Sequence, residues 1–143
     1  MATFGWPEML FIFRSAGWTL LLTLVAFSIG GVVGAALAIM RLSPSRVLRA
    51  IASTYILVIQ SIPVLMVLFM SYYGLSLFGL ELPPFLAASA SLAIYASAYL
   101  AEIWRGSIES VPYQQWEASS SLALTRPQQY RYITLPQAVR ISL

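Results

Sequence analysis

The sequence predicts an all-α integral membrane protein, with three transmembrane helices and a polar two-helix element on the cytoplasmic side. Three observations carry that expectation. Of the 143 residues, 59% are hydrophobic and only 9% charged, against roughly 25% charged in a soluble domain, and mean hydropathy is +0.80. Uncharged windows of 26, 31 and 20 residues lie between Arg14 and Arg41, between Arg49 and Glu81, and between Glu81 and Glu102. A helix crossing the ~30 Å hydrocarbon core needs about 20 apolar residues, so each window can hold one. After Trp104 the composition turns polar and is punctuated by proline.

The missing residue types exclude whole classes of chemistry. Cys, His, Asp and Lys are all absent, which removes disulfide frameworks, Cys/His metal sites and histidine acid-base catalysis. A phosphate loop of the GxxxxGK[ST] type is excluded as well, because its lysine reaches the β- and γ-phosphates. The five glutamates are not paired within a span. The chain therefore reads as a non-enzyme with no catalytic residue, no metal site and no cofactor of its own. The net charge of +3 and pI near 9.5 do not indicate nucleic acid, since the arginines edge apolar runs instead of clustering with aromatics in a groove. "MATFGWPEMLFIFR" has no basic n-region or small-residue cleavage site, so it reads as retained.

Residues 1–16 are expected as an outward N-terminal segment, followed by helices over 17–40, 51–73 and 84–104. Arg41, Arg46 and Arg49 flank the first loop, and Arg105, Arg126, Arg131 and Arg140 follow the third helix. By the positive-inside rule those seven are cytoplasmic, which leaves the N-terminus and Gly74 to Pro84 outside. In the first helix, Gly30, Gly31, Gly34 and Ala38 form a small-residue stripe that lets another helix approach closely. In the second, Gln60, Ser61 and Pro63 fall near mid-span. Pro63 must kink the helix and free the carbonyl of Ile59, which lipid cannot satisfy, so protein or cavity water is expected to. Broken helices at this depth are where transporters place solute sites, which makes these three residues candidates for a substrate pathway. The third helix, rich in Ala and Ser, suits a buried position better than a lipid-facing one. At its end, Glu102 and Arg105 are spaced i,i+3 as a polar pair at the membrane edge.

Residues 110–136 are expected to form two short helices. Ser110 can cap the first, with Pro112 in its first turn. Thr125 and Gln128 have capping-box spacing for the second, which should end near Leu135-Pro136. The joint falls at Ala123-Leu124. Such an element has little core of its own, and its chemistry fits either a protein groove or the membrane surface.

"AYLAEIWRGSIESVPYQQWEASSSLALTRPQQYRYITLPQAVR", Ala98 to Arg140, resembles the membrane permease subunits of bacterial ABC importers, in the branch that handles polar amino acids. The family signature is E-A-A, a Gly four residues later, then I-x-L-P. Its counterpart here is Glu117-Ala118-Ser119, Ala123 and Ile133-Thr134-Leu135-Pro136. "AEIWRG", "VPYQQWEA" and "SIPVLM" ahead of "YYG" match the branch as well. Three positions depart from it: Ala123 stands for the glycine, Ser119 for an alanine, and Gln60-Ser61-Ile62-Pro63 for R-G-T-P or R-S-x-P.

The resemblance implies that Glu117, Ala118, Ser119, Leu122, Ala123, Leu124, Ile133, Leu135 and Pro136 form a coupling loop seated in a cleft of a separate ATPase. It implies ABC ATPase subunits, a second permease subunit and an extracytoplasmic solute-binding protein as partners, in the bacterial inner membrane. Family members continue past "LPQAVRISL" into about two further helices, so the resemblance implies a five-helix permease of which this chain carries three. The competing expectation is a truncated membrane protein that binds partner subunits without transporting.

Overall fold

The computed structural model describes residues 5–142; residues 1–4 of the expected outward segment, and Leu143, lie outside the described residues. Helix α1, Trp6–Leu42, starts well ahead of the expected boundary at residue 17. Pro7 sits in its first turn, and the Gly5 N–H donates to Glu8 Oε2 at 2.9 Å, satisfying one of the orphan donors of a helix start. The single charge of Arg14 does not interrupt the helix, so residues 6–16 belong to α1 and are not a separate segment. Ser43 ends it in an extended conformation, and Pro44 follows.

Helix α2, Arg46–Ser61, is capped by Ser45. Within the expected span over 51–73 the helix is not continuous, because the chain breaks at Ile62 and Pro63. Ile62 is extended (φ −104°, ψ 129°), as the steric demand of a following proline requires. Beyond the break lie α3, Val64–Phe69, a π-helical turn Met70–Gly74 and the short α4, Leu75–Leu77. The two arms meet at 100°. The Ile59 carbonyl freed by Pro63 is taken by the Ile62 N–H at 3.3 Å. The chain itself thus fills the place that the sequence assigned to neighbouring protein or water.

Helix α5, Pro84–Glu109, begins at the expected proline turn and runs five residues beyond Trp104. Both α1 and α5 are long and apolar enough to cross a membrane; α2 with α3–α4 qualifies only as a bent pair. Among the described residues every regular element is helical.

The pairing of α1 with α5 organises the fold, and small residues make it possible. A Cβ on Gly30 would lie 2.9 Å from Ala96 Cβ, and one on Gly34 would lie 2.9 Å from the Ser97 carbonyl oxygen. Ala38 continues the row at 2% exposure, whereas Gly31 faces open space. The α5 face is built from Ala93, Ser97, Ala98 and Ala101, all buried. Leu37, Ala52 and Ile56 close a small core against Ala98 and Ala101. Two buried serines of α5 bond their own helix: Ser91 donates to the Ala87 carbonyl at 2.6 Å, and Ser97 to that of Ile94 at 2.7 Å. The Tyr55 hydroxyl reaches across from α2 to Ser97 Oγ at 2.8 Å.

After α5 come α6, Tyr113–Ser121, and α7, Arg126–Gln129, then a π-helical turn Tyr130–Thr134 and α8, Leu135–Ser142. Ser110 is the C-cap of α5, not the expected N-cap of the next helix; its hydroxyl turns back to the Ser107 carbonyl at 2.8 Å. The expected end near Leu135-Pro136 is likewise no end. A proline N–H is missing where an α-helix would use it. The π turn carries the chain past that gap, with the Leu135 N–H bonding the Tyr130 carbonyl, and α8 continues to Ser142. Ala138, fully buried, lies on α8, which packs against α5.

Candidate functional site

The polar helical element is built around one turn. Helix α6 closes in a Schellman arrangement: the Leu124 N–H reaches the Ser119 carbonyl at 3.2 Å, and the Ala123 N–H that of Ser120 at 2.9 Å. Ala123 sits at φ +55°, and among the described residues it alone combines a positive φ with a side chain. Thr125 starts α7 as its spacing predicts, its N–H donating to Gln128 Oε1 at 2.8 Å.

Sequence reasoning did not single out the residue that ties the two helices together. Gln129 is 4% exposed, and its amide nitrogen donates to Ser120 Oγ at 3.0 Å and to the Leu124 carbonyl at 3.2 Å. Beside it, the Trp116 and Tyr130 rings meet edge to face with centroids 5.1 Å apart. The capping spacing locates α7 in the sequence, but only its approach to α6 reveals the role of Gln129.

Of the sequence-predicted residues, Glu117, Ala118, Leu122, Ala123, Leu135 and Pro136 are exposed, Leu124 and Ile133 are half-buried, and Ser119 is buried. Ser119 bonds the Trp116 carbonyl at 2.8 Å, so it serves the helix and not the surface. Leu122, 72% exposed, projects at the tip. A groove of about 800 Å³ between α6 and α7 is lined by Tyr113, Trp116, Glu117, Ser120, Arg126 and Tyr130. Aromatic rings and arginine are enriched at protein interfaces, where a polar rim such as Glu117 and Ser120 provide is usual.

The strain at Ala123 makes a local prediction. A non-glycine residue in the left-handed region costs about 1 to 2 kcal/mol. Ala123→Gly is therefore expected to slow hydrogen exchange at the Leu124 amide by about fivefold, for a net gain of about 1 kcal/mol. Unchanged exchange would mean that the turn does not carry this strain.

Gln60, Ser61 and Pro63 all lie at the bend and are exposed. Gln60 Nε2 approaches the Ala98 carbonyl at 3.4 Å, and Ser61 bonds its own helix at the Leu57 carbonyl, 2.6 Å.

Glu102 and Arg105 form the expected pair, Arg105 Nη2 to Glu102 Oε2 at 2.7 Å. The cluster is larger than the sequence indicated. Arg105 Nη1 lies 2.5 Å from Glu109 Oε2, and Arg41 Nη2 of α1 lies 3.4 Å from Glu102 Oε1. Arg41 Nη1 also donates to the Ser53 hydroxyl of α2. The i,i+4 spacing of Arg105 and Glu109 was available from the sequence, whereas the approach of Arg41 needs the α1–α5 pairing.

Residues 30–143 match the family described as "Binding-protein-dependent transport system inner membrane component". The chain is 38% identical over 133 residues to the probable amino-acid ABC transporter permease protein YckA of Bacillus subtilis, covering 93% of this chain and 59% of that protein. It is 39% identical to the probable glutamine ABC transporter permease protein GlnM of the same organism, covering 86% and 57%. Its structure resembles a crystal structure described as an amino acid ABC transporter with histidines, with TM-score 0.82 and 36% identity, covering 97% of this chain and 67% of that one. The chain thus spans less than two thirds of either curated relative.

Proposed function

The chain belongs to the family of binding-protein-dependent transport system inner membrane components, and on that premise we propose that it acts as a permease subunit of an ATP-driven importer of polar amino acids. It lines part of the translocation path and couples to a separate ATPase. The amino-acid assignment rests on relatives named as amino-acid and glutamine permeases. ATP chemistry falls to the partner, because this chain lacks the lysine a phosphate loop requires. A second permease subunit completes the path, an extracytoplasmic binding protein delivers solute, and the complete permease has five membrane helices.

The observation that carries this reading is the α6–α7 element. It is an exposed, internally stapled unit with Leu122 at its tip and an aromatic groove with charged Glu117 and Arg126 behind it, suited to a protein cleft. Glu117, Ala118, Leu122, Ala123 and Leu124, with Ile133, Leu135 and Pro136, form the ATPase contact, and Ser119 shapes the helix beneath them. Gln60, Ser61 and Pro63 lie beside the path, supported by the exposed bend they occupy. The arginine distribution supports a cytoplasmic element and an outward N-terminus. ATP binding then has to favour one transport state; moving that equilibrium from 1:99 to 99:1 takes about 5.5 kcal/mol.

Co-purification from membranes with an ABC ATPase subunit tests the reading. Wild type is expected to retain the ATPase, and Glu117→Arg to lose it by about tenfold or more, the effect of reversing a charge at a matched interface. No retention by wild type would refute ATPase coupling. Retention of the ATPase without solute uptake would favour a partner-binding scaffold.

A further inference from the structure

We propose that Arg41 is a positioning residue: the joint that makes α1 and α2 follow the end of α5 when the α6–α7 element moves. The functional consequence rests on the importer reading above, while the joint itself is a matter of geometry. Apolar packing between α1 and α5 ends at Ala38 and Ala101, 2% and 0% exposed. Beyond them the two helix ends border a cavity of about 450 Å³, lined by Ile39 and Leu42 of α1, Ile108 of α5 and Leu135 of α8. Close packing therefore gives way just where α5 leads, through Ser110 to Pro112, into the coupling element.

Arg41 spans that gap. Its guanidinium forks, Nη2 toward the Glu102 carboxylate at 3.4 Å and Nη1 to the Ser53 hydroxyl, so one side chain ties three helices together. Ser53 is anchored in turn by its bond to the Arg49 carbonyl at 2.6 Å. On the other side, Glu102 is gripped by Arg105, which also holds Glu109 in the last turn of α5. The chain of contacts runs from the final turn of α5 to α1 and α2 without interruption. The bonds of Arg105 to Glu102 and of Arg41 to Ser53 are charge-assisted and stronger than neutral ones, and Arg41 meets Glu102 as an ion pair at 3.4 Å.

Without Arg41, Glu102 Oε2 keeps Arg105 Nε and Nη2 at 3.0 and 2.7 Å, and Oε1 loses an ion-pair neighbour but no hydrogen bond. Arg41→Gln should therefore fold, and what it loses is the joint. The sequence has no cysteine, so a cysteine pair replacing Ile39 and Ile103, both exposed on α1 and α5, takes spin labels without background.

In the chain assembled with its ATPase partner, the distance distribution between those labels is expected to be narrow in wild type and to broaden in Arg41→Gln. Arg41→Lys, which keeps a cation beside Glu102, is expected to restore a narrower distribution. Solute carried per ATP hydrolysed should fall about fivefold or more in Arg41→Gln, the lower end of coupling between distant sites, while ATP hydrolysis persists. An unchanged distribution in Arg41→Gln, or a lysine variant no better than glutamine, overturns the joint. Broadening in Arg41→Gln within an assembly whose wild type carries no solute would leave the joint standing and remove the importer reading instead.

Discussion

Replacing Gly34 with valine is expected to break the α1–α5 pairing on which the fold depends. The first added carbon would fall 2.9 Å from the Ser97 carbonyl oxygen, 3.1 Å from Leu100 Cβ and 3.2 Å from the Ala101 nitrogen. Two of those atoms are backbone, so the contact cannot be relieved by a rotamer change, and the helices must separate. The cost should be about 3 kcal/mol, the upper part of the range for overpacked cores. Separation would also strip Tyr55 of its reach to Ser97 and Arg41 of its reach to Glu102. Gly31→Val is the internal control: nothing lies within 4 Å of its Cβ position, and the expected change is within about 0.5 kcal/mol. Unfolding measured in mixed micelles for both variants checks the claim. Equal losses would mean that close approach at Gly34 does not decide the outcome.

Pro63→Ala is expected to have the second-largest effect, by reopening the choice that the bend closes. The proline ring holds Ile62 extended and withholds the N–H that would bond the Ile59 carbonyl. With alanine both restraints vanish, and α2 can continue directly into α3. The 100° angle should relax toward a straight rod, so labels on Leu57 and Phe69 should move apart toward about 18 Å, the rise of twelve helical residues. Because α3 packs on α5 in the bent form, straightening forfeits that packing, and on the proposed importer role solute uptake should fall with it. A label distance unchanged from wild type would assign the bend to tertiary packing alone.

The parts of the fold visible in the sequence were those written in local chemistry. Uncharged windows located α1 and α5, the Pro83-Pro84 turn placed the start of α5, and the Thr125–Gln128 spacing placed the start of α7. The glycine stripe identified the close-packed face, although only the pairing separates Gly30 and Gly34, which are in contact, from Gly31, which is not. The misplaced boundaries share a cause. A lone charge such as Arg14 was read as a boundary, and a serine or proline as a terminus, yet a helix passes a single exposed charge freely and a π turn carries it past Pro136. The size of the Pro63 bend, the reach of Arg41 to Glu102 and the double bond of Gln129 depend on which helices meet. No local pattern encodes that.

The length of α1 carries a consequence for the lipid around it. Its 37 residues extend about 55 Å at 1.5 Å per residue, nearly twice the ~30 Å hydrocarbon thickness. Tilt does not absorb the excess: at 40°, the steep end of the observed range, the helix still projects about 42 Å along the bilayer normal. Its first turns therefore emerge among the headgroups, and Trp6, 72% exposed at the leading end, has the amphipathic ring favoured at that depth. The helix acts as a ruler held at an aromatic mark. Its inclination, and with it that of the α5 helix packed along it, becomes a function of membrane thickness.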